Sequence, residues 1–281
     1  MKTAIVTDST AYIPKEIREK LDIRMVPLSV VIGNDTYKEE IDINATEFYD
    51  KVRNERTLPK TSQPALGDFV STFEELSKNY DAVISIHLSS GISGTLAGAK
   101  QAGEIVDNLN VYTFDSEISC MVQGFYVLKA AQMAKEGAHP EEILQELNTM
   151  KQTIRAYFMV DNLDHLHRGG RLNGIERVIG NVLQVKPILH FENKIIVPFE
   201  KVRTRKKAMK RIADLLQEDA NKYKKLQATI IHANNEQEAI AWKTELEANL
   251  PNVEFTISYF GPVIGTHLGE GSMGLGWVKT S

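Results

Sequence analysis

The chain has a single cysteine, Cys120, among its 281 residues. One cysteine excludes an intrachain disulfide framework and a zinc site built from cysteine ligands, and it suits a reducing cytosol. We interpret Cys120 as a small buried residue, with a nucleophilic thiol as the alternative. His165 and His167 are two residues apart, a spacing that points side chains to opposite faces of a strand, and no acidic residues complete a metal site. The sequence therefore predicts neither a bound metal nor a cofactor.

Long apolar runs are missing as well. The N-terminus MKTAIVTDST reaches Asp8 before the apolar core of a signal peptide could form, and no later stretch has about 18 uninterrupted apolar residues. We therefore expect no transmembrane segment and a cytoplasmic location. With 42% hydrophobic and 25% charged residues, the composition is that of a globular protein, and the length suits two domains of common size.

An excess of positive charge is also absent, since the formal net charge is −4. Binding through counterion release requires a concentrated basic surface, so we expect no nucleic-acid partner. The one basic concentration is the run 201–211, which contains Arg203 and would form a positive face on a helix that begins near Thr204. This face is either solvated or a contact for an acidic partner protein or a phosphate.

The first half of the chain alternates short buried strands with helices. We predict strands at 3–7, 25–31, 82–88 and 110–114. We predict helices from Pro14 to Lys20, at 45–55 and 66–78, from the loop 89–95 to about 107, and at 119–136 and 140–151. This alternation indicates a parallel sheet, in which ligands gather beyond the carboxyl ends of the strands.

After residue 151 the pattern changes. We predict a strand at 156–160, a loop at 165–171, an amphipathic segment at 174–184, a hairpin of strands 187–191 and 194–198, a helix at 204–223, a strand at 227–232, a helix at 235–248, a strand at 253–259 and a glycine-rich tail at 261–276. A hairpin beside helices indicates a mixed sheet. The fold class is therefore α/β, with an N-terminal domain at 1–153 and a C-terminal mixed-sheet domain at 154–281.

Two hydroxyls, on Thr61 and Ser62, precede Gln63-Pro64. A proline disfavours helical geometry in the residue before it, so the segment is expected to form an exposed, extended turn that can offer short donors to an oxyanion. The alternative is an N-cap for the helix at 66–78.

The loop 89–95 has glycines at 91 and 94 and four hydroxyl side chains just before a predicted helix. Free N–H groups and the helix dipole favour an anion there, with helix capping as one alternative. A nucleophilic Ser93 is the other, although Gly91-Ile92-Ser93-Gly94-Thr95 misses the G-x-S-x-G elbow by one residue.

Arg168 and Arg171 flank Gly169-Gly170, a combination that suits bidentate contact with a carboxylate or phosphate, or else a solvated turn. His267 is a lone histidine in the glycine-rich tail, where we predict a polar, ligand-facing role. The G-x-G-x-x-G pattern at 269–274 comes too late in the chain for the βαβ unit of a dinucleotide site, so we treat it as a coincidence.

Seven short motifs, in family-like order and spacing, resemble the DegV family over essentially the whole chain. They are Thr7-Asp8-Ser9-Thr10, Thr61-Ser62-Gln63-Pro64, Ser89-Ser90-Gly91-Ile92-Ser93-Gly94-Thr95, Asp115-Ser116, Gly169-Gly170-Arg171, Lys186-Pro187, and Gly261-Pro262 with His267-Leu268-Gly269. The resemblance implies a two-domain α/β fold that encloses a long-chain fatty acid. It places the carboxylate at Thr61, Ser62, Ser93 and His267.

The resemblance also implies a partner, a separate ATP-dependent fatty acid kinase subunit that phosphorylates the bound carboxylate. The product is an acyl phosphate for phospholipid synthesis, to be used by an acyltransferase. By position, His267, Arg171 and Arg203 match residues of the family's carboxylate end or kinase contact, and we expect them, with Arg168, to position the phosphoryl group. The chain itself has no P-loop, so no independent catalysis is expected.

Two other functions remain open at this point. One is a stand-alone acyl hydrolase that uses Ser93 as nucleophile and His267 as base. The other is a regulatory module that senses lipid or binds a protein through the basic run 201–211, without phosphoryl transfer.

Overall fold

The structure is a computed structural model that describes residues 1–53, 55, 57–172 and 186–280. Strands of the first half are β1 (Thr3–Asp8), β2 (Ile23–Val26), β3 (Ser29–Ile32), β4 (Asp35–Lys38), β5 (Lys60–Ser62), β6 (Ala82–His87) and β7 (Asn110–Asp115). Helices of this half are α1 (Lys15–Lys20), α2 (Ala45–Val52), α3 (Leu66–Leu76), α4 (Thr95–Ile105), α5 (Cys120–Lys135) and α6 (Pro140–Lys151).

The second half continues with β8 (Arg155–Met159), α7 (Asp164–Arg168), β9 (Lys186–Glu192), β10 (Ile195–Val202), α8 (Arg205–Ala220), β11 (Leu226–His232), α9 (Glu236–Asn249), β12 (Val253–Tyr259), α10 (Pro262–Leu268) and β13 (Met273–Lys279). The predicted amphipathic segment at 174–184 lies outside the described residues.

A parallel four-stranded sheet with the order β2-β1-β6-β7 forms the N-terminal part. Every residue of β1 and β6 is buried, because helices cover both faces of a parallel sheet. The carboxyl ends of the strands meet at one edge, which carries Asp8, His87 and Asp115.

A six-stranded mixed sheet with the order β10-β9-β8-β13-β11-β12 forms the C-terminal part. Among the described strands of this sheet, β11 and β12 pair in parallel and the other neighbours are antiparallel. The predicted α/β fold class is confirmed. One continuous apolar core includes Ile86 of the parallel sheet and Leu189 of the mixed sheet. The domain boundary between residues 153 and 154 stays a prediction.

The single strand predicted at 25–31 is wrong. It is divided between β2, in the parallel sheet, and β3, in a separate antiparallel sheet with the order β4-β3-β5. Pro27 stands between them and has no N–H to continue the ladder of hydrogen bonds. Because β5 pairs with β3, Thr61 and Ser62 lie on a strand and not in the exposed turn that we predicted.

The loop predicted at 165–171 begins with the short helix α7, and the glycine-rich tail forms α10 and most of β13. Pro262 suits the first turn of α10, where its missing N–H is not needed. Gly269 ends that helix with φ +78°, a conformation that glycine adopts without strain. His267 therefore lies on a regular helix between two ordered elements.

Candidate functional site

A mostly apolar cavity lies between the carboxyl edge of the parallel sheet and the mixed sheet. The space open to the centre of a water molecule is about 60 Å³, so the cavity is a narrow slot. Apolar side chains from the mixed sheet, from loops that follow strands of the first half and from α5, α7 and α10 form most of its wall: Leu28, Leu88, Ile92, Val122, Phe158, Leu166, Phe191, Ile196, Ile231, Phe260, Val263, Ile264, Leu268 and Leu275.

A group of polar side chains shares this wall and includes Thr61, Ser62, Gln63, Ser93, Arg171 and His267. They come from four separate parts of the chain that contact each other. Thr61 bonds His267, Arg171 bonds the loop before α4, and the amide of Gln63 packs against Gly94. The structure thus gathers five of the seven predicted site residues into one cavity.

His267 and Thr61 form the central pair of this polar group. Nε2 of His267 lies 2.8 Å from Oγ1 of Thr61. Burial, with smaller effects of Arg171 and His165, lowers the pKa of His267 to about 4. The imidazole is therefore neutral near pH 7, which excludes a role as a fixed positive charge.

The other ring nitrogen of His267, Nδ1, is buried with no hydrogen-bond partner among the described residues. Gly169 packs against it, and a Cβ at that position would collide with the ring. A buried N–H without an acceptor is rarer in proteins than an unused acceptor, so the proton belongs on Nε2. His267 then donates to Thr61, and the Thr61 hydroxyl proton is free to point into the cavity.

Ser93 lies in the loop before α4, at the edge where the parallel strands end. Its Oγ is 2.9 Å from Oγ1 of Thr95 and accepts the Thr95 N–H at 3.3 Å. The N-cap residue of α4 is Gly94, which has no side chain to form a capping hydrogen bond, although Ser93 Oγ accepts the N–H of the first helical residue. Similarly, α3 begins after Ala65 without a side-chain cap, so the N-cap alternative for Thr61 and Ser62 is wrong.

Arg171 holds the same loop from the opposite side. Its Nε donates to the carbonyl of Ile92 at 3.2 Å, and its Nη1 donates to the carbonyl of Gly169 at 2.6 Å. Arg168 and Arg203 are exposed and do not contribute to the cavity wall. The structure therefore brings one of the three predicted arginines to the polar group and leaves the other two at the surface.

The geometry does not favour either predicted nucleophile. His267 bonds Thr61, while Ser93 bonds Thr95, so no described contact joins Ser93 to a base. Cys120 is 3% exposed, and burial raises the pKa of its thiol to about 12, which disfavours the reactive thiolate.

Sequence reasoning missed Ser119 and Cys120 as part of the cavity wall. Both stand at the start of α5, and Cys120 has φ +63°, an unusual conformation for a residue with a side chain. No periodic pattern marks such a strained position. The DegV-like motif Asp115-Ser116, four residues upstream, is the nearest signal.

Within the basic run 201–211, α8 begins at Arg205 with Thr204 as its N-cap, close to the predicted start, while Lys201 lies on β10 and Arg203 precedes the helix. Much of its charge is paired, because Arg205 bonds Glu238 and Asp161, Lys210 bonds Asp214, and Arg211 bonds Glu200 and Glu218. The positive face is therefore weaker than the sequence suggests.

A family model matches residues 2–280 and is described as an uncharacterised protein of the DegV family. The chain belongs to the DegV family. The protein DegV of Bacillus subtilis is 60% identical over 278 residues, which cover 99% of each chain. Among the residues that the structure describes, no group of His, Cys, Asp and Glu could hold a metal ion, and no helix is long and apolar enough to cross a membrane.

Solved DegV structures have the same fold. The crystal structure of Bacillus subtilis DegV, described as a fatty acid binding protein, has a TM-score of 0.96 at 59% identity, with 100% of both chains covered. A DegV family protein from Thermus thermophilus, described by its fatty acid binding, has a TM-score of 0.93 at 31% identity over 100% of both chains. The arrangement of a parallel N-terminal sheet and a mixed C-terminal sheet is therefore that of the family.

Proposed function

We propose that the chain binds one long-chain fatty acid in this cavity, with the carboxylate at Thr61, Ser62, Ser93 and His267. The observation that carries the proposal is a narrow, mostly apolar slot in whose wall the hydroxyls of Thr61, Ser62 and Ser93 lie with the imidazole of His267 and the guanidinium of Arg171. The fatty acid binding of the Bacillus subtilis and Thermus thermophilus relatives supports the same ligand class.

The acyl chain and the carboxylate of a fatty acid need an apolar and a polar wall respectively, and the cavity has both. Burial of an acyl chain contributes about 0.8 kcal/mol per CH₂, so the apolar wall supplies most of the affinity. A carboxylate loses its hydration in the slot and needs hydrogen-bond donors in return. Thr61 can donate because its oxygen accepts from His267, and Ser62 and Ser93 add two more hydroxyls.

We further propose that the bound carboxylate is the substrate of a separate ATP-dependent fatty acid kinase subunit. A carboxylate oxygen would attack the γ-phosphorus of ATP held by that partner, the bond to the β-phosphate oxygen would break, and ADP would leave. Hydroxyl donors suit this step because they bind the carboxylate without protonating it. The acyl phosphate would then pass to an acyltransferase of phospholipid synthesis.

In this scheme the predicted phosphoryl-positioning residues divide into two groups. Arg171 and His267 stand at the cavity and would position the carboxylate and the incoming phosphoryl group. Arg168 and Arg203 are exposed, which suits contact with the partner subunit. The DegV chain is then a carrier and a recognition surface, without catalysis of its own.

Native mass spectrometry of the purified protein, followed by organic extraction, tests the first part of the proposal. We expect one long-chain fatty acid per chain, and weaker binding of added fatty acid by Ser93→Ala, by about tenfold for a lost hydrogen bond to a charged group. Ser71→Ala, an exposed serine of α3, is the matched control and should bind as the wild type does. A protein that is empty and takes up no added fatty acid would overturn the proposal.

A further inference from the structure

A second cleft lies on the other side of one wall of the acyl cavity. Its volume is about 310 Å³, and it is built by the end of β7, the end of α6, the start of β8 and the turn between β9 and β10. Ala156, Tyr157 and Phe191 line both spaces. The polar side chains of this cleft take no part in the proposed carboxylate site.

Tyr126 gives the cleft an unusual polar group. The side chain is fully buried, and its hydroxyl has no hydrogen-bond partner among the described residues. Tyr126 also lines the cleft. A buried hydroxyl without a partner is unfavourable, so a group that supplies an acceptor to Tyr126 would be stabilising.

The cleft also has a surplus of positive charge. Lys151, Arg155 and Lys194 line it. Lys151 pairs with Glu117 at 3.0 Å and Lys194 with Asp115 at 3.1 Å, so three cations face two acids and one positive charge is left.

The cations keep donors that the protein does not use. Nη1 of Arg155 donates to the carbonyls of Gln152 and Ile154, and no described contact occupies its Nε or Nη2. Each paired ammonium has three N–H groups and uses one of them for its acid. The available donors at this wall therefore exceed the available acceptors.

We propose that this cleft binds a small oxyanion, a phosphate or carboxylate group, through Tyr126 and Arg155, with Lys151 beside them. A guanidinium with two free donors and a hydroxyl match two oxygens of such an anion. An apolar ligand would leave the same donors unpaired, and a metal cation would meet a net positive charge. Because the anion stays on the polar side of Tyr157 and Phe191, it does not need the acyl cavity to be empty.

The experiment is a titration of the purified protein, with its native ligand bound, by inorganic phosphate at constant ionic strength. Amide shifts in two-dimensional NMR are expected to saturate and to cluster at 116–118, 126, 151–157 and 193–194. Arg155→Gln should raise the Kd at least tenfold, and Tyr126→Phe should raise it severalfold. Arg24→Gln, which alters an arginine paired with Asp22 and Glu75, is the matched control and should not change it.

Three results would overturn the proposal. The first is a set of shifts that do not saturate, or that chloride reproduces. The second is an unchanged Kd in Arg155→Gln, which does not depend on whether Tyr126→Phe folds. The third is a folded Tyr126→Phe that binds phosphate as the wild type does, which would leave only water as the partner of the hydroxyl.

Discussion

Two histidine–hydroxyl pairs lie at the carboxyl edge of the parallel sheet and differ in how completely they are bonded. Nδ1 of His87 lies 2.9 Å from Oδ2 of Asp8, and its Nε2 lies 2.6 Å from Oγ of Ser85. His267 bonds Thr61 through Nε2 only, and its Nδ1 has no partner among the described residues. His87 therefore bonds through both ring nitrogens, whereas His267 bonds through one.

The His87 group has the residue types of a Ser-His-Asp triad but is closed to substrates. Ser85, His87 and Asp8 are all 0% exposed, and none of them lines the acyl cavity. Asp8 also accepts from the backbone of Leu88 and Thr10 and from the side chain of Gln123. A complete, sealed network stabilises the fold, whereas the second pair leaves the Thr61 hydroxyl proton free to point into the cavity.

Loss of Asp8 should have the largest effect on stability. Asp8→Ala leaves His87, Thr10 and Gln123 without their shared acceptor, so we expect a fall of about 3 kcal/mol or more in the free energy of unfolding. Urea denaturation checks this value. Asp107→Ala, an exposed control, should stay within about 0.5 kcal/mol of the wild type. A fall below about 1 kcal/mol for Asp8→Ala would show that the network is not a main source of stability.

Glu39 is a third buried polar group, and it links the two regions. It accepts from Ser9 Oγ at 2.5 Å, from Tyr12 Oη at 3.0 Å and from the Val263 N–H at 2.7 Å, at the start of the helix that carries His267. Burial raises its pKa from 4.5 to about 7, against the effect of these three donors. The helix of His267 is therefore held by a carboxyl that titrates near neutral pH.

The free energy of unfolding should depend on pH through the titration of Glu39. A pKa that is higher in the folded state means that the folded protein binds more protons, so this stabilisation is complete below pH 4.5 and is lost as the pH rises to about 7. The change amounts to about 3 kcal/mol. Chemical denaturation of the wild type and Glu39→Gln at several pH values measures it, since the variant cannot titrate. Parallel curves for the two proteins would contradict the raised pKa.

Substitution of Gly276 tests whether the apolar wall of the cavity limits the length of the bound acyl chain. A Cβ at this position would collide with Cγ2 of Val122, and both residues line the acyl cavity. Gly276→Ala should push Val122 into the slot, destabilise the fold by about 1–3 kcal/mol and shift the extracted fatty acids to shorter chains. Gly67→Ala is the matched control, because nothing lies within 4 Å of its Cβ. An unchanged fatty acid profile in a folded Gly276→Ala would exclude this part of the wall as a limit on chain length.

Local sequence patterns predicted the parallel strands and the serine loop before α4, because those features depend on neighbours in the chain. They could not predict Glu39, whose partners Ser9 and Val263 are 30 and 224 residues away. The bond between Thr61 and His267 spans 206 residues and also needs β5 to pair with β3. The sequence indicated which side chains have donors suited to an anion, but only the assembled sheets decide which of them share a cavity.

His267 should have the smallest effect on stability at neutral pH and a large effect on the proposed phosphoryl transfer. His267→Asn removes only one bonded nitrogen, so we expect a change of less than about 1 kcal/mol in the free energy of unfolding at pH 8. Acyl phosphate formation with the kinase subunit should fall well below that of His139→Asn, an exposed control on the surface. Equal loss of fatty acid binding and of acyl phosphate formation would contradict a role in positioning the phosphoryl group.

Acidification distinguishes His267 from Glu39, because folding shifts their pKa values in opposite directions. The pKa of His267 is lowered from 6.5 to about 4, so its contribution to stability is complete above pH 6.5 and is lost as the pH falls towards 4. At pH 5 the wild type should have lost about 2 kcal/mol relative to His267→Asn. Denaturation at pH 8 and pH 5 measures this difference. If it does not appear, the pKa of the imidazole is not lowered by folding, and His267 is charged in the folded protein at pH 5.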